Sequence, residues 1–538
     1  MVLAVKRAAL LSAVLLFVLG NSLAQAQLTG VIDQVRAQKA GLKVEWISQV
    51  QVDPTAAKLS GIYLQVSDKN STTTFELTYG KQREVISQFD FGPDGRQFGV
   101  EGAKEWAELR QEILKEGRGI DAKIEKFVTP KTMLYATTTE GVVQAIDGTT
   151  GKTIWSTTVG NRKFHTTGPS ANEEFVTIVN GSSIYCLRAD TGKPLWNHTC
   201  RAAPGAAPAM SDDFAFVPLL NGFVEAFPLF DPTAVVDKRK QVSLESPEET
   251  KTEAQLAREK TIKEERISRY GRVNNRVSKH MSMNYFVSAG AATDPPIVTG
   301  LTTSWPTLRG HYNVGYNSRD KVGKMIFRLK TGGPIVAPGA ERNQILFVAS
   351  TDGFVYAVDE RDGTLQWNFG TGEPISQTPI PIGDSVYAIS NDFGMFKINI
   401  KTGEADENWP SRLDNIKSFV AASRDKIYVI DNLNRLVAIQ QKTGAIVSRV
   451  AARGQDFQHY NLKTDRIYIG TKTGTIQCLR EIGQNHPIIH SAEQMDDGKT
   501  DGGQKKPDDG KGEKNPFDEK GEKNPFDEKK EEKNPFDG

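Results

Sequence analysis

Between residues 345 and 369 the chain holds three short strand-like runs, two of them apolar throughout and the third, Leu365-Gln366-Trp367-Asn368-Phe369, alternating apolar and polar. Ile345, Phe347 and Ala349 share one face, and Phe354, Tyr356 and Val358 do the same after Thr351-Asp352-Gly353. A third run ends in Gln366-Trp367-Asn368-Phe369 after Arg361-Asp362-Gly363. A period of two with Asp-Gly turns predicts antiparallel strands joined by tight hairpins. A further short strand near 375–381 begins the next unit.

The same unit recurs. Ala145-Ile146-Asp147-Gly148-Thr149-Thr150-Gly151-Lys152-Thr153-Ile154-Trp155 parallels Ala357-Val358-Asp359-Glu360-Arg361-Asp362-Gly363-Thr364-Leu365-Gln366-Trp367. Weaker copies carry Thr191-Gly192 before Trp196, Thr402-Gly403 before Trp409, and Thr443-Gly444 with no Trp. An upstream glycine opens the preceding strand of each unit: Gly141, Gly181, Gly222, Gly353, Gly394 and Gly474, with Asn434 filling the slot once. Gly310, 43 residues before Gly353, marks one more. That makes eight copies about 40 residues apart, with an extra unit's length before the fourth.

The last copy stops after Gly474-Thr475-Ile476-Gln477-Cys478-Leu479-Arg480, with no Trp strand of its own. An unclaimed Trp strand lies at the other end, at residues 42–50 around Trp46. The expectation is an all-β, eight-bladed β-propeller over residues 27–490, closed by this N-terminal strand. Trp46, Trp155, Trp196, Trp367 and Trp409 are expected to pack between adjacent blades.

The pattern Ala-x-Asp-x-x-Thr-Gly-x-x-x-Trp resembles the pyrroloquinoline-quinone-type propeller repeat. That family includes quinoprotein dehydrogenases and the periplasmic scaffold of the outer-membrane barrel-assembly machine. The resemblance to the scaffold is the nearer one. The dehydrogenases carry an adjacent Cys pair, a calcium ligand set and an Asp base, and this chain has no Cys-Cys pair. The resemblance therefore implies the repeat rather than the cofactor.

Two segments interrupt the repeat. Residues 66–125 read as an α+β insertion, with strands at 72–79 and 83–89 and a helix at 103–116 packing through Trp106, Leu109 and Ile113. Residues 231–285 read as a charged helix or loop beginning at Ser246-Pro247. Residues 491–538 repeat Asn-Pro-Phe-Asp three times, hold 15 acids against 10 Lys, and read as a disordered low-complexity tail. Lys6 and Arg7, the apolar run 8–19 and Ala24-Gln25-Ala26 read as a signal peptide cut after Ala26. No Cys stands near that cut to take a lipid. The expected location is periplasmic or extracellular, with no transmembrane span in the mature chain.

Composition changes the picture little. Lys+Arg number 67 and Asp+Glu 66, so charge gives no case for nucleic acid. Cys186, Cys200 and Cys478 read as apolar fillers whose pairing stays open. Asp90, Asp94 and Glu101 partly mimic a calcium loop, but Gly92 occupies a ligand position, so calcium stays open. His486 and His490 are four apart with Pro487 between, which disfavours a helical metal pair. Asn70, Asn180 and Asn197 lie in glycosylation sequons. No residue is assigned as catalytic, cofactor-binding or metal-binding. The expected function is a non-catalytic scaffold binding envelope or extracellular proteins, with outer-membrane assembly as the specific case. The alternatives are a quinone-dependent dehydrogenase and an extracellular small-ligand or carbohydrate sensor. The expected oligomeric state is open.

Overall fold

The computed structural model describes residues 31–53, 57–80, 82–93, 95–230, 282, 284–452 and 454–490. The expected leader, charged helix and tail lie outside these residues. The described chain is mostly strand, in eight antiparallel sheets. The fifth shows the pattern: Ala340–Arg342, Ile345–Ala349, Phe354–Asp359 and Leu365–Gly370 pair in chain order. These are the runs read from the sequence; Leu346–Ala349 are buried, and in the next strand Val355, Ala357 and Val358 are buried while Phe354 is exposed.

The eighth sheet joins the two ends of the chain. Phe457–Gln458, Ile467–Gly470 and Thr475–Glu481 are followed in space by Leu42–Gln49, and Trp46 lies opposite Cys478. The sixth sheet has only three strands, Ile380–Ile382, Ser385–Ile389 and Met395–Asn399. The expected Trp409 strand is replaced there by isolated bridges from Ala405 to Ile398 and from Leu413 to Met395.

Each sheet packs on the next through its own apolar core. Tyr135 and Trp155 of the first sheet meet Val176 and Ile178 of the second. Phe347 and Trp367 of the fifth meet Val386 and Ile398 of the sixth. Trp46 and Tyr468 of the eighth meet Leu64 and Leu134 of the first. Each fully buried aliphatic or aromatic side chain contributes about 1.5–3 kcal/mol, so these cores are the main stabilising element.

The repeat motif is the mechanism of this packing. Gly151, Gly192, Gly363 and Gly403 take positive φ, and each lies under an aromatic ring of the preceding sheet. A Cβ there would fall 2.4–2.6 Å from Trp46, Trp155, Phe327 or Trp367. Glycine is required twice over, for the left-handed turn and for the approach of the ring. The indole N–H then donates to the turn. Trp46 reaches Gly148 O at 3.0 Å, Trp155 reaches Ala189 O at 2.9 Å, and Trp367 reaches Ile400 O at 2.9 Å. Trp409 departs from this. Lys397 Nζ occupies the corresponding carbonyl, Gln441 O, at 2.9 Å, and Trp409 Nε1 is left buried without a partner.

Gly394 opens its strand as expected, but not through its own φ. The positive φ in that turn belongs to Phe393, and Gly394 is needed for space, since a Cβ would meet Arg412 Nε at 2.3 Å.

The first insertion grows directly out of the first sheet. Leu59–Tyr79 and Lys123–Thr138 are two long strands paired along their length, with Gln82–Ser87 added at the edge. Helix α2 (Gly99–Arg118) packs on this extension, while a short helix α1 (Gln34–Lys39) precedes the Trp46 strand. The buried face of α2 is Ala103, Ala107 and Leu114. Leu109, expected on that face, is exposed, and Trp106 lies at its margin against Phe98. Small residues let the helix sit closer to Phe75 and Leu77 than the larger stripe would. In the second interruption, Asn284–Val287 is the fourth strand of the third sheet, so residues 284 and 285 belong to the repeat.

Candidate interaction face

In a four-stranded antiparallel sheet, the first-to-second and third-to-fourth connections leave from one end of the strands. The second-to-third connection and the link to the next sheet leave from the other. Every large departure from the repeat falls on the first kind of connection. The α2 insertion joins the first two strands of the first sheet. Residues 229–283 join the third and fourth strands of the third sheet. Residues 31–41 lead into the fourth strand of the eighth sheet, and residues 482–490 leave its third. The opposite end carries only short turns and links.

Contacts tie the decorated ends of neighbouring sheets together. Lys69 pairs with Asp212 at 2.9 Å, and Asn70 donates to Glu173 at 2.7 Å, so the insertion reaches the loops of the second and third sheets. Arg319 of the fourth sheet pairs with Asp213 and lies over Phe230.

The insertion is fixed by a buried ionic knot. Arg83 donates to Glu45 at 2.6 Å and to both oxygens of Glu76, and Arg480 donates to the other oxygen of Glu45. Two acids and two guanidinium groups cancel within the knot, and each charge has a partner, which an interior site requires. Burial by itself would raise the Glu45 carboxyl, but Arg480 and Arg83 outweigh it and hold it below the usual carboxylate range. Arg83 and Arg466 both donate to Asn485 O, at 3.3 and 3.1 Å, which fastens the segment after the last strand. At the other chain end, Ile32 exchanges two buried hydrogen bonds with the Gln477 amide. No periodic pattern announces this knot. Its one sequence signal is Arg480, placed on the inward side of a strand after Ile476 and Cys478.

The candidate metal residues are not gathered. Asp90 is buried and pairs with Lys152 at 2.6 Å. Asp94 lies outside the described residues, and Glu101 is exposed in the first turn of α2. The loop between them closes on itself, with Gly92 donating to Arg96 O. His486 stacks on Phe127 near Glu76, whereas His490 approaches Ala422 O at 2.8 Å. Among the described residues no group of three potential metal ligands occurs.

Cys186, Cys200 and Cys478 are buried free thiols, and burial pushes the first two up to about 12, which suits apolar fillers. Asn180 is buried, and its amide donates to Asn161, Phe164 and Thr166. It offers no glycan acceptor in this fold. No described helix is long and apolar enough to cross a membrane.

Residues 139–227 and 316–485 match the family model described as outer membrane protein assembly factor BamB. No curated protein matches. Among solved structures, BamB from Moraxella catarrhalis is 15% identical, covering 66% of this chain and 92% of its own, with a TM-score of 0.47. The computationally designed Ika8 protein is 13% identical, covering 64% and 92%, with a TM-score of 0.45. Over these two segments the chain carries PQQ-like repeats resembling those of BamB.

Proposed function

We propose that this chain is an exported, closed eight-bladed β-propeller that holds protein partners of the cell envelope on one face and carries no catalytic site. The observation that carries this reading is the segregation of both insertions and both ends of the repeat to one end of the sheets. A rigid ring with short turns on one side and long segments on the other suits recognition of large partners. The cyclic order of the cores, each sheet on the next and the eighth on the first, supports the ring and its count of eight. The matching family model names an outer-membrane assembly factor, which extends the reading to assembly in the outer membrane. The expected leader supports work outside the cytoplasm, in the periplasm or beyond the cell.

The test is affinity purification of the full chain from cross-linked envelopes. Two variants accompany it, one lacking residues 231–281 and one carrying Glu105→Lys, Leu109→Ser and Glu112→Lys on the exposed face of α2, each checked for an unchanged melting temperature. A defined set of envelope proteins is expected with the full chain and lost with one of the variants. Absence of any specific partner in all three would rule out the scaffold.

A further inference from the structure

The end of the sheets without insertions has a pattern of its own. Phe164, Leu220, Leu308, Phe393 and Leu433 stand at the tips of its turns and links, 41–63% exposed. Leu220, Leu308, Phe393 and Leu433 occupy the same hairpin of four different sheets, so the apolar tips recur around the ring. Single exposed apolar residues are ordinary, but recurrence at one turn position on one face marks a contact surface.

Charge on this face is divided between its halves. Over the first four sheets stand exposed Lys58, Arg162, Lys163, Arg309 and Lys330, opposed by Asp53, Glu140 and Asp294. The Arg201–Glu225 pair is internally neutral. Over the last four stand Asp352, Glu373, Asp392, Asp414 and Asp456. Arg412 lies between Glu373 and Asp414, Arg435 is paired with Asp431, and Lys417 and Lys472 only partly offset the acids. Among the described residues the first half keeps a positive balance and the half across the ring a negative one.

We infer that this face binds a second copy of the same chain, face to face, about a twofold axis lying in the contact plane. The inference uses the ring arrangement proposed above. An isologous contact requires a surface complementary to itself, and a face with opposite charge on opposite halves is one. An axis passing between the fourth and fifth sheets carries the acidic half of one copy onto the cationic half of the other. It sets Phe164 near Leu433 of the second copy and Leu220 near its Phe393, while Arg162 and Lys163 face Asp414 and Asp456. Apolar tips then fill the contact and the charges set its orientation. The insertions point outward on both sides, so the dimer presents two copies of the partner-binding face.

The experiment is sedimentation velocity of the full chain at micromolar concentrations in low and high salt. A dimer is expected that weakens as salt screens the charges. Arg162→Glu with Lys163→Glu is expected to weaken it by about tenfold or more. Asp414→Lys with Asp456→Lys should do the same, and the four changes together should restore it. A monomer under all conditions overturns the inference, as does a dimer indifferent to these changes. A monomer that instead co-sediments with phosphatidylglycerol vesicles through Arg162 and Lys163 overturns it in favour of a membrane. Small-angle scattering of the monomeric variant reads the ring itself, so failure of the ring and failure of the dimer give different results.

Discussion

The contact between the fifth and sixth sheets and the contact between the eighth and the first use the same docking device. In one, Trp367 lies on Gly403 and donates to Ile400 O; in the other, Trp46 lies on Gly151 and donates to Gly148 O. The first contact joins neighbouring repeats. The second joins segments from opposite ends of the chain, with Leu42 paired to Glu481. Closing so long a loop costs more chain entropy, and apolar docking that is nearly the same at every sheet cannot tell one partner sheet from another. Only the second contact carries the ionic knot of Glu45, Glu76, Arg83 and Arg480. We read the knot as the element that makes the junction of the chain ends unique, since buried charges tolerate few alternative pairings.

Removing Arg480 should separate the two contacts most sharply. Arg480→Met strands Glu45 beside a single remaining guanidinium, and a loss of about 3–5 kcal/mol is expected in urea unfolding. Hydrogen exchange should rise first in Leu42–Gln49, with the fifth and sixth sheets unaffected. Uniform loss of protection would show that the junction is no weaker than the repeats.

Acid should act on the same junction next. Burial, with Lys463 nearby, holds the His459 imidazole down to about 4 in the eighth sheet. Its folded pKa lies below the unfolded one, so protonation favours the unfolded chain. The loss begins as pH falls below about 6.5 and is complete near 4, about 1–2 kcal/mol because the residue is only partly buried. The Glu45 carboxyl, held low by its arginines, adds its loss only as pH falls further. His459→Gln should reduce the first part of the stability–pH curve, to which His311, His486 and His490, also held low by burial, contribute, and leave the second.

The smallest effects test the docking device itself. Trp367→Phe removes the bond to Ile400 O and should cost about 1 kcal/mol beyond the change in packing. Trp409→Phe removes no hydrogen bond, because Lys397 holds the carbonyl, and should cost about 0.5 kcal/mol less or better. Equal losses in denaturant titrations would remove the hydrogen bond from the account of the repeat.

The repeat was legible because each of its parts is local. A Gly at a positive-φ turn, a Thr before it and a Trp after it leave the same trace wherever they occur. The Trp46 strand could be assigned to the last sheet because that sheet visibly lacked one. The face of α2 was misread because a stripe of large residues attracts attention, while Ala103 and Ala107 allow closer approach. The sixth sheet's missing strand was hidden by a Trp409 that still reaches the core without pairing.

The candidate face divides in the same way. Alternation, turn glycines and the docking tryptophans are short-range constraints, and the amino-acid sequence by itself determined them. Which end of the sheets bears the insertions follows from counting strands, once their number and pairing are known. The knot of Glu45, Glu76, Arg83 and Arg480 was decided only by the tertiary structure. An ion pair has no period along the chain, and its partners become neighbours only when the last sheet takes its fourth strand from the beginning.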